Sequence, residues 1–139
     1  MEYAEATTTT ASPDRAWQAV TAVTTWPQWT KSMTSVQPLD GSDLAVGHRF
    51  RVKQPGFPPV VWKVTELRDE QEFTWVADSP GVRSVAYHRL DPTTDGGTRI
   101  SIGVRQTGPL AGLLRLLTAA RTRQYLQLEA AGLKAASEV

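Results

Sequence analysis

The chain has 139 residues, 40% of them hydrophobic, which is enough for one buried core. Its net charge is +1, from 15 basic and 14 acidic residues, a balance that points away from nucleic acid and from acid-seeking surfaces. There is no cysteine, so disulfides, thiolate metal sites and cysteine nucleophiles are excluded.

The first residues, Met1 to Glu5, are acidic and polar. No basic segment leads into an apolar run, so no signal peptide is expected. The most apolar stretch, Leu110 to Ala120, is broken by Gly112 and Arg115. It is shorter than the roughly 20 residues a bilayer span needs. The reading is a soluble cytoplasmic protein with no stable membrane insertion.

Tyr3 to Thr10 is rich in Thr and reads as a strand. Ser12 is a candidate cap, and Pro13 and Asp14 suit a first helical turn. Ala16, Trp17, Val20 and Val23 follow at helical spacing, which predicts a short amphipathic helix over Pro13 to Val23. Trp26-Pro27-Gln28-Trp29 predicts a second short helical turn. Ser35 to Leu39 reads as a strand and Asp40-Gly41 as a turn.

Gly47 to Lys53 alternates, with His48, Phe50 and Val52 on one face. The proline-rich run Gln54 to Pro59 cannot continue a ladder and predicts a stiff loop. Strands follow over Val60 to Leu67, Gln71 to Ala77 and Val82 to Leu90. Asp95-Gly96-Gly97 signals a hairpin into Thr98 to Gln106. After Gly108-Pro109 the period changes, and Leu110 to about Ser137 predicts one long helix. Its apolar stripe is read as Leu113, Leu114, Leu117, Ala120, Gln124, Leu128, Ala131 and Ala135, with Glu129 among the residues of the other faces. Gly132 inside the helix predicts a close approach or a bend.

The order is strand, two short helices, about six strands, long helix. The fold class is α+β: a curved antiparallel sheet of about seven strands wrapped around a long C-terminal helix, with two short helices after the first strand. One domain over residues 1–139 is expected.

Several segments carry a resemblance. They are Ser12-Pro13-Asp14-Arg15-Ala16-Trp17, Trp26-Pro27-Gln28-Trp29, Gly47, Trp62-Lys63-Val64-Thr65-Glu66, Phe73-Thr74-Trp75, Gly97-Thr98-Arg99 and Gly108-Pro109-Leu110. In this order and spacing the chain resembles the START-like, or SRPBCC, superfamily, and within it the polyketide cyclase/dehydrase and lipid transport branch. The resemblance runs end to end. It implies a helix-grip fold with a cavity between the sheet and the C-terminal helix. It implies little about chemistry.

The candidate ligand-binding residues are Trp62, Trp75, His88, Phe50, Phe73, Ile102, Leu117 and Gln124. Aromatic walls suit a small-molecule site, although ordinary core packing explains the same residues. Alternation places His88 with Ser84, Ala86 and Leu90 on the inner face, with Arg83 and Arg89 opposite. His88 is the sole candidate acid or base, with Tyr87, Gln106 and Gln124 as helpers, and no acidic orienter is evident beside it. A structural histidine is the plainer reading. His48 reads as a strand-end residue near solvent. With two distant histidines and no cysteine, no metal site is expected, and no Walker loop, dinucleotide fingerprint or nucleophile elbow calls for a cofactor.

The function expected is binding, transport or sequestration of a small hydrophobic, aromatic or lipid-like molecule. One alternative is a cyclase/aromatase-like enzyme using His88. The other is a non-catalytic interaction protein with a collapsed cavity. The sequence leaves homodimerisation open.

Overall fold

In the computed structural model, which describes residues 2–139, the chain forms seven strands and three helices. Strand β1 (Glu2–Thr9) leads into helix α1 (Pro13–Thr21) and a 3-10 helix, α2 (Val23–Gln28). Strands β2 (Ser35–Pro38), β3 (Arg49–Lys53), β4 (Val60–Arg68), β5 (Glu72–Ser79), β6 (Val82–Pro92) and β7 (Thr98–Thr107) follow. Helix α3 (Ala111–Ser137) closes the chain. The strand order is β1-β7-β6-β5-β4-β3-β2, and all pairs are antiparallel. This is the helix-grip arrangement that the sequence predicts.

Consecutive strands from β2 to β7 are neighbours, as short hairpin connections dictate. The first strand instead pairs with the last. The β4–β5 register slips between Val64 and Glu66, a bulge of the kind that bends a strand and deepens the twist of its sheet. The concave face carries Phe50, Val64, Phe73, Trp75, Ile100 and Ile102, all buried. The opposite face carries the charged alternates, including Arg83 paired to Asp78 and Arg89 paired to Glu72.

Helix α1 buries Ala16, Trp17 and Val20 at helical spacing. Ser12 does not cap this helix through its side chain. Its hydroxyl donates to the Asp14 carboxylate instead. Trp26 is wholly buried and donates its indole N–H to the Ala19 carbonyl at 3.3 Å. It rests edge-on against Trp75, with ring centroids 5.6 Å apart.

Helix α3 meets the rest of the molecule through Leu126, Glu129, Ala130, Leu133 and Ser137. This corrects the expected stripe. Leu113, Leu117, Ala120, Gln124, Ala131 and Ala135 are exposed, and the buried face lies on the other side of the helix. Small residues at Ala130 and Gly132 let the helix come close, so the chain buries them in place of the bulkier Leu128. Gly132 sits against the end of α2: a methyl group there would lie 2.5 Å from the Trp29 carbonyl oxygen. No described helix is long and apolar enough to cross a membrane.

Gly132→Ala therefore tests the crossing. Helix propensity alone favours alanine by about 1 kcal/mol. Overpacking against backbone costs about 1–3 kcal/mol. Urea unfolding of the variant is expected to show a net loss of stability. A raised midpoint would mean that the close approach does not constrain the helix.

Candidate functional site

A cavity of about 410 Å³ lies between the concave face of the sheet and α3. Alternation along the strands supplies its floor. Trp62 on β4, Trp75 and Ala77 on β5, Ser84, Ala86 and His88 on β6, and Ile102, Val104 and Gln106 on β7 all point into it. Registry makes these residues contiguous. Trp75 pairs with Ala86, His88 with Ile102, and Ala86 with Val104. Leu126 and Glu129 of α3 form the roof.

The rim is built from Phe57 and Pro58 of the β3–β4 loop, Pro80 of the β5–β6 turn, and Leu113 and Leu117 of α3. The prolines stiffen this rim. Phe57 packs edge-on against Tyr125, with centroids 5.9 Å apart. The Tyr125 hydroxyl donates to the Pro55 carbonyl, and Arg121 reaches the Gly56 carbonyl at 3.3 Å. The loop is thereby fastened to the helix across the mouth.

His88 and Glu129 are the polar pair of the interior. His88 is 3% exposed and Glu129 7%. Imidazole Nε2 lies 3.4 Å from a Glu129 carboxyl oxygen. Imidazole Nδ1 lies 3.3 Å from the Phe73 carbonyl oxygen, which only accepts, so this contact assigns the proton to Nδ1. Nε2 is then the ring nitrogen that faces the carboxyl. Each of the two buried groups thus has the other beside it, which offsets part of the cost of burying it. The His88 ring stacks on Phe73 at 4.1 Å and 9°, and Trp26 and Trp75 stand at 5.3 and 5.8 Å. Aromatic rings thus hold the imidazole plane.

The sequence-predicted residues divide into four groups. Trp62, Trp75, His88 and Ile102 line the cavity wall. Leu117 lines the mouth and is 72% exposed. Phe50 and Phe73 are completely buried and stand behind the wall rather than on it, Phe73 as the stacking partner of His88 and Phe50 against Trp75 at 6.0 Å. Gln124 does not reach the cavity: it lies on the exposed side of α3, because the helix turns Leu126 and Glu129 inward.

Tyr87 alternates away from the cavity and covers Gly103 on the outer face, where burial raises its pKa. Gln106 does line the cavity. His48 is a strand-end residue that contacts the Asp43 carbonyl at 3.0 Å, near solvent.

Glu129 is the residue that sequence reasoning missed as a partner for His88. Its signal was its place between Leu126 and Leu133, at the spacing of a buried stripe. Met33, Val52 and Tyr125 were also missed. Met33 comes to the wall from the connection before β2, Val52 from β3 and Tyr125 from the helix. Among the described residues no three His, Asp or Glu side chains converge as a metal would require.

A family model described as polyketide cyclase / dehydrase and lipid transport matches residues 2–138. No curated protein sequence matches. Solved structures share the fold at low identity. TTHA0849 from Thermus thermophilus is 19% identical, with a TM-score of 0.77 over 99% of this chain and 97% of that one. Hypothetical protein jhp0584 from Helicobacter pylori is 18% identical, with a TM-score of 0.77 over 99% of this chain and 86% of that one. NE0264 from Nitrosomonas europaea is 16% identical, with a TM-score of 0.73 over 98% and 93%.

The buried pair makes a thermodynamic prediction. Glu129→Leu leaves Nε2 of His88 without its partner and is expected to cost about 1–3 kcal/mol. Adding His88→Phe removes the orphaned group, so the double variant should recover part of that loss. A double-mutant cycle by urea unfolding measures the coupling. Additive effects would show that the two side chains do not interact.

Proposed function

Since this chain belongs to the polyketide cyclase/dehydrase and lipid transport family, we propose that it binds a small, mostly apolar molecule carrying one polar group. The single observation that carries this reading is the open cavity of about 410 Å³, walled by apolar side chains around one buried polar pair. Ligand pockets of proteins have this size and this composition. The apolar body would lie against Trp62, Trp75, Ile102, Val104 and Leu126. Burial of its surface would supply roughly 25 cal/mol per Å² before the costs of ordering.

Glu129 would receive the ligand's polar group. Both imidazole nitrogens of His88 face protein partners, Phe73 on one side and Glu129 on the other. His88 therefore acts as the orienter of the carboxyl in this reading, not as the group offered to the ligand. A hydroxyl or amine donating to the carboxyl would satisfy the site without breaking either contact.

An acid–base enzyme is the second reading, and the same His88–Glu129 contact favours it. A carboxyl held beside an imidazole in a mostly apolar cavity is a competent proton acceptor for an enolisable substrate. In that case the base is Glu129, with His88 as the positioning residue. Conversion of an offered substrate that survived Glu129→Gln would exclude this role.

Native mass spectrometry of protein purified from its own host tests binding and reports the mass of any occupant. A titration with the apolar dye N-phenyl-1-naphthylamine provides the controlled form. The dye should brighten on binding, and a ligand at about 100 times its Kd should add about 2.7 kcal/mol of stability. Ala86→Trp, which places an indole in the cavity, should abolish both effects. Unchanged dye binding in that variant would show that the dye, and by extension the ligand, sits elsewhere.

A further inference from the structure

The cavity floor is banded. Cross-strand pairing sets the inward residues of β5, β6 and β7 in rows: Phe73, His88 and Ile102; then Trp75, Ala86 and Val104; then Ala77, Ser84 and Gln106. The first row carries the His88–Glu129 pair, and the second is apolar. The third puts a hydroxyl and an amide side by side in the wall. Gln106 is 9% exposed, although glutamine is a residue type that usually stays in water. Ser79, one row further out and opposite Val82, also lines the cavity and extends this polar end.

Helix α3 begins at the same end of the sheet, where the Leu110 N–H donates to the Gly81 carbonyl at 2.9 Å. Its start adds Leu110, Leu113 and Leu114 to the wall, so the polar groups here come from the strands. Four residues of β6 separate Ser84 from His88, about 13 Å at the rise of an extended strand. Charge narrows the reading further. Among the described residues Glu129 is the only acid that lines the cavity, and no lysine or arginine does. A carboxylate or phosphate in the third row would be buried without either cation to pair it, which is costly.

From this banding we infer that the ligand is an elongated molecule with a polar group at each end. A hydroxyl or amine meets Glu129, and an uncharged hydroxyl, ketone or amide lies about 13 Å away at Ser84 and Gln106. A serine hydroxyl and a glutamine amide each donate and accept, so any of the three fits. Trp75, Ala86 and Val104 would hold the apolar body between the ends. Gln54 of the β3–β4 loop and Thr122 and Tyr125 of α3 also line the cavity but belong to neither polar row, and the Tyr125 hydroxyl is already donated to the Pro55 carbonyl. The inference rests on the binding reading given above and adds to it the ligand's length and its far end.

Displacement of N-phenyl-1-naphthylamine by two isomers tests it. 1,10-Decanediol carries its hydroxyls at about the required separation, whereas 1,2-decanediol carries both at one end of the same chain. Apolar burial alone favours the 1,2 isomer, whose tail is uninterrupted. The banded wall reverses that order, and the 1,10 isomer is expected to bind at least about fivefold more tightly. This order is read in the unaltered protein and needs no variant to fold. Ser84→Ala combined with Gln106→Leu should keep dye binding and restore the preference for the 1,2 isomer, and Ser84→Ala alone should narrow the difference. 10-Hydroxydecanoic acid, ionised at about pH 8, should compete about tenfold less well than 1,10-decanediol. Equal or tighter binding of the 1,2 isomer to the unaltered protein would overturn the inference while leaving the cavity a binding site. So would a preference for the 1,10 isomer that the double variant retains, because other groups would then hold the far end. Competition by the acid as strong as that of the diol would overturn the uncharged far end. Failure of both isomers to displace bound dye would remove the binding reading and this inference together.

Discussion

One helix cannot cover seven strands. The sheet is about 29 Å across at the usual strand spacing, and a helix with its side chains is about 10–12 Å wide. The helix must therefore choose where to touch. It settles its second half against β1, β7, α1 and α2, where Ala130 and Gly132 permit close approach. Its first half stands off from the strands that bend away at the β4–β5 bulge. The cavity is what remains between the contact that forms and the one that does not.

What fills the edge of that space decides its character. A cluster of aromatic rings, Trp26, Trp75, Phe50 and Phe73, backs the wall and fixes its shape by mutual tilted and edge-on packing. Into this apolar surround the chain places one imidazole and one carboxyl, 3.4 Å apart. Two such groups are costly to bury singly and less so together, because each supplies the other with a polar partner. The cavity thus has one buried pair of ionisable groups in a mostly apolar wall. That asymmetry can orient a molecule with a single polar group, and it is also the minimum needed to move a proton.

The strands are legible in the sequence because most alternate a buried face with a polar or charged one, so alternation places His88 and Trp75 inward. The helix is not legible in the same way. It is apolar on two sides, with leucines and alanines at 113, 117, 120, 128, 131 and 135, and a second set at 126, 130 and 133. Periodicity sees both and cannot say which meets the sheet. Bulk favours the first set, and the structure buries the one with small residues. That inversion explains both errors at the site: the wrong stripe draws Gln124 inward and sends Glu129 outward. The wall aromatics are separable only in three dimensions, since Phe50 and Phe73 share the inward face with Trp62 and Trp75 but lie deeper.

Everything proposed for the interior depends on the cavity being an apolar, open space. A crystal structure determined under xenon pressure measures this directly, because xenon enters dry apolar cavities without needing a polar partner. Xenon density is expected between Trp75, Ile102 and Leu126, with the surrounding side chains unmoved. Absence of xenon, with the Trp62 or Trp75 ring swung into the space, would contradict that expectation.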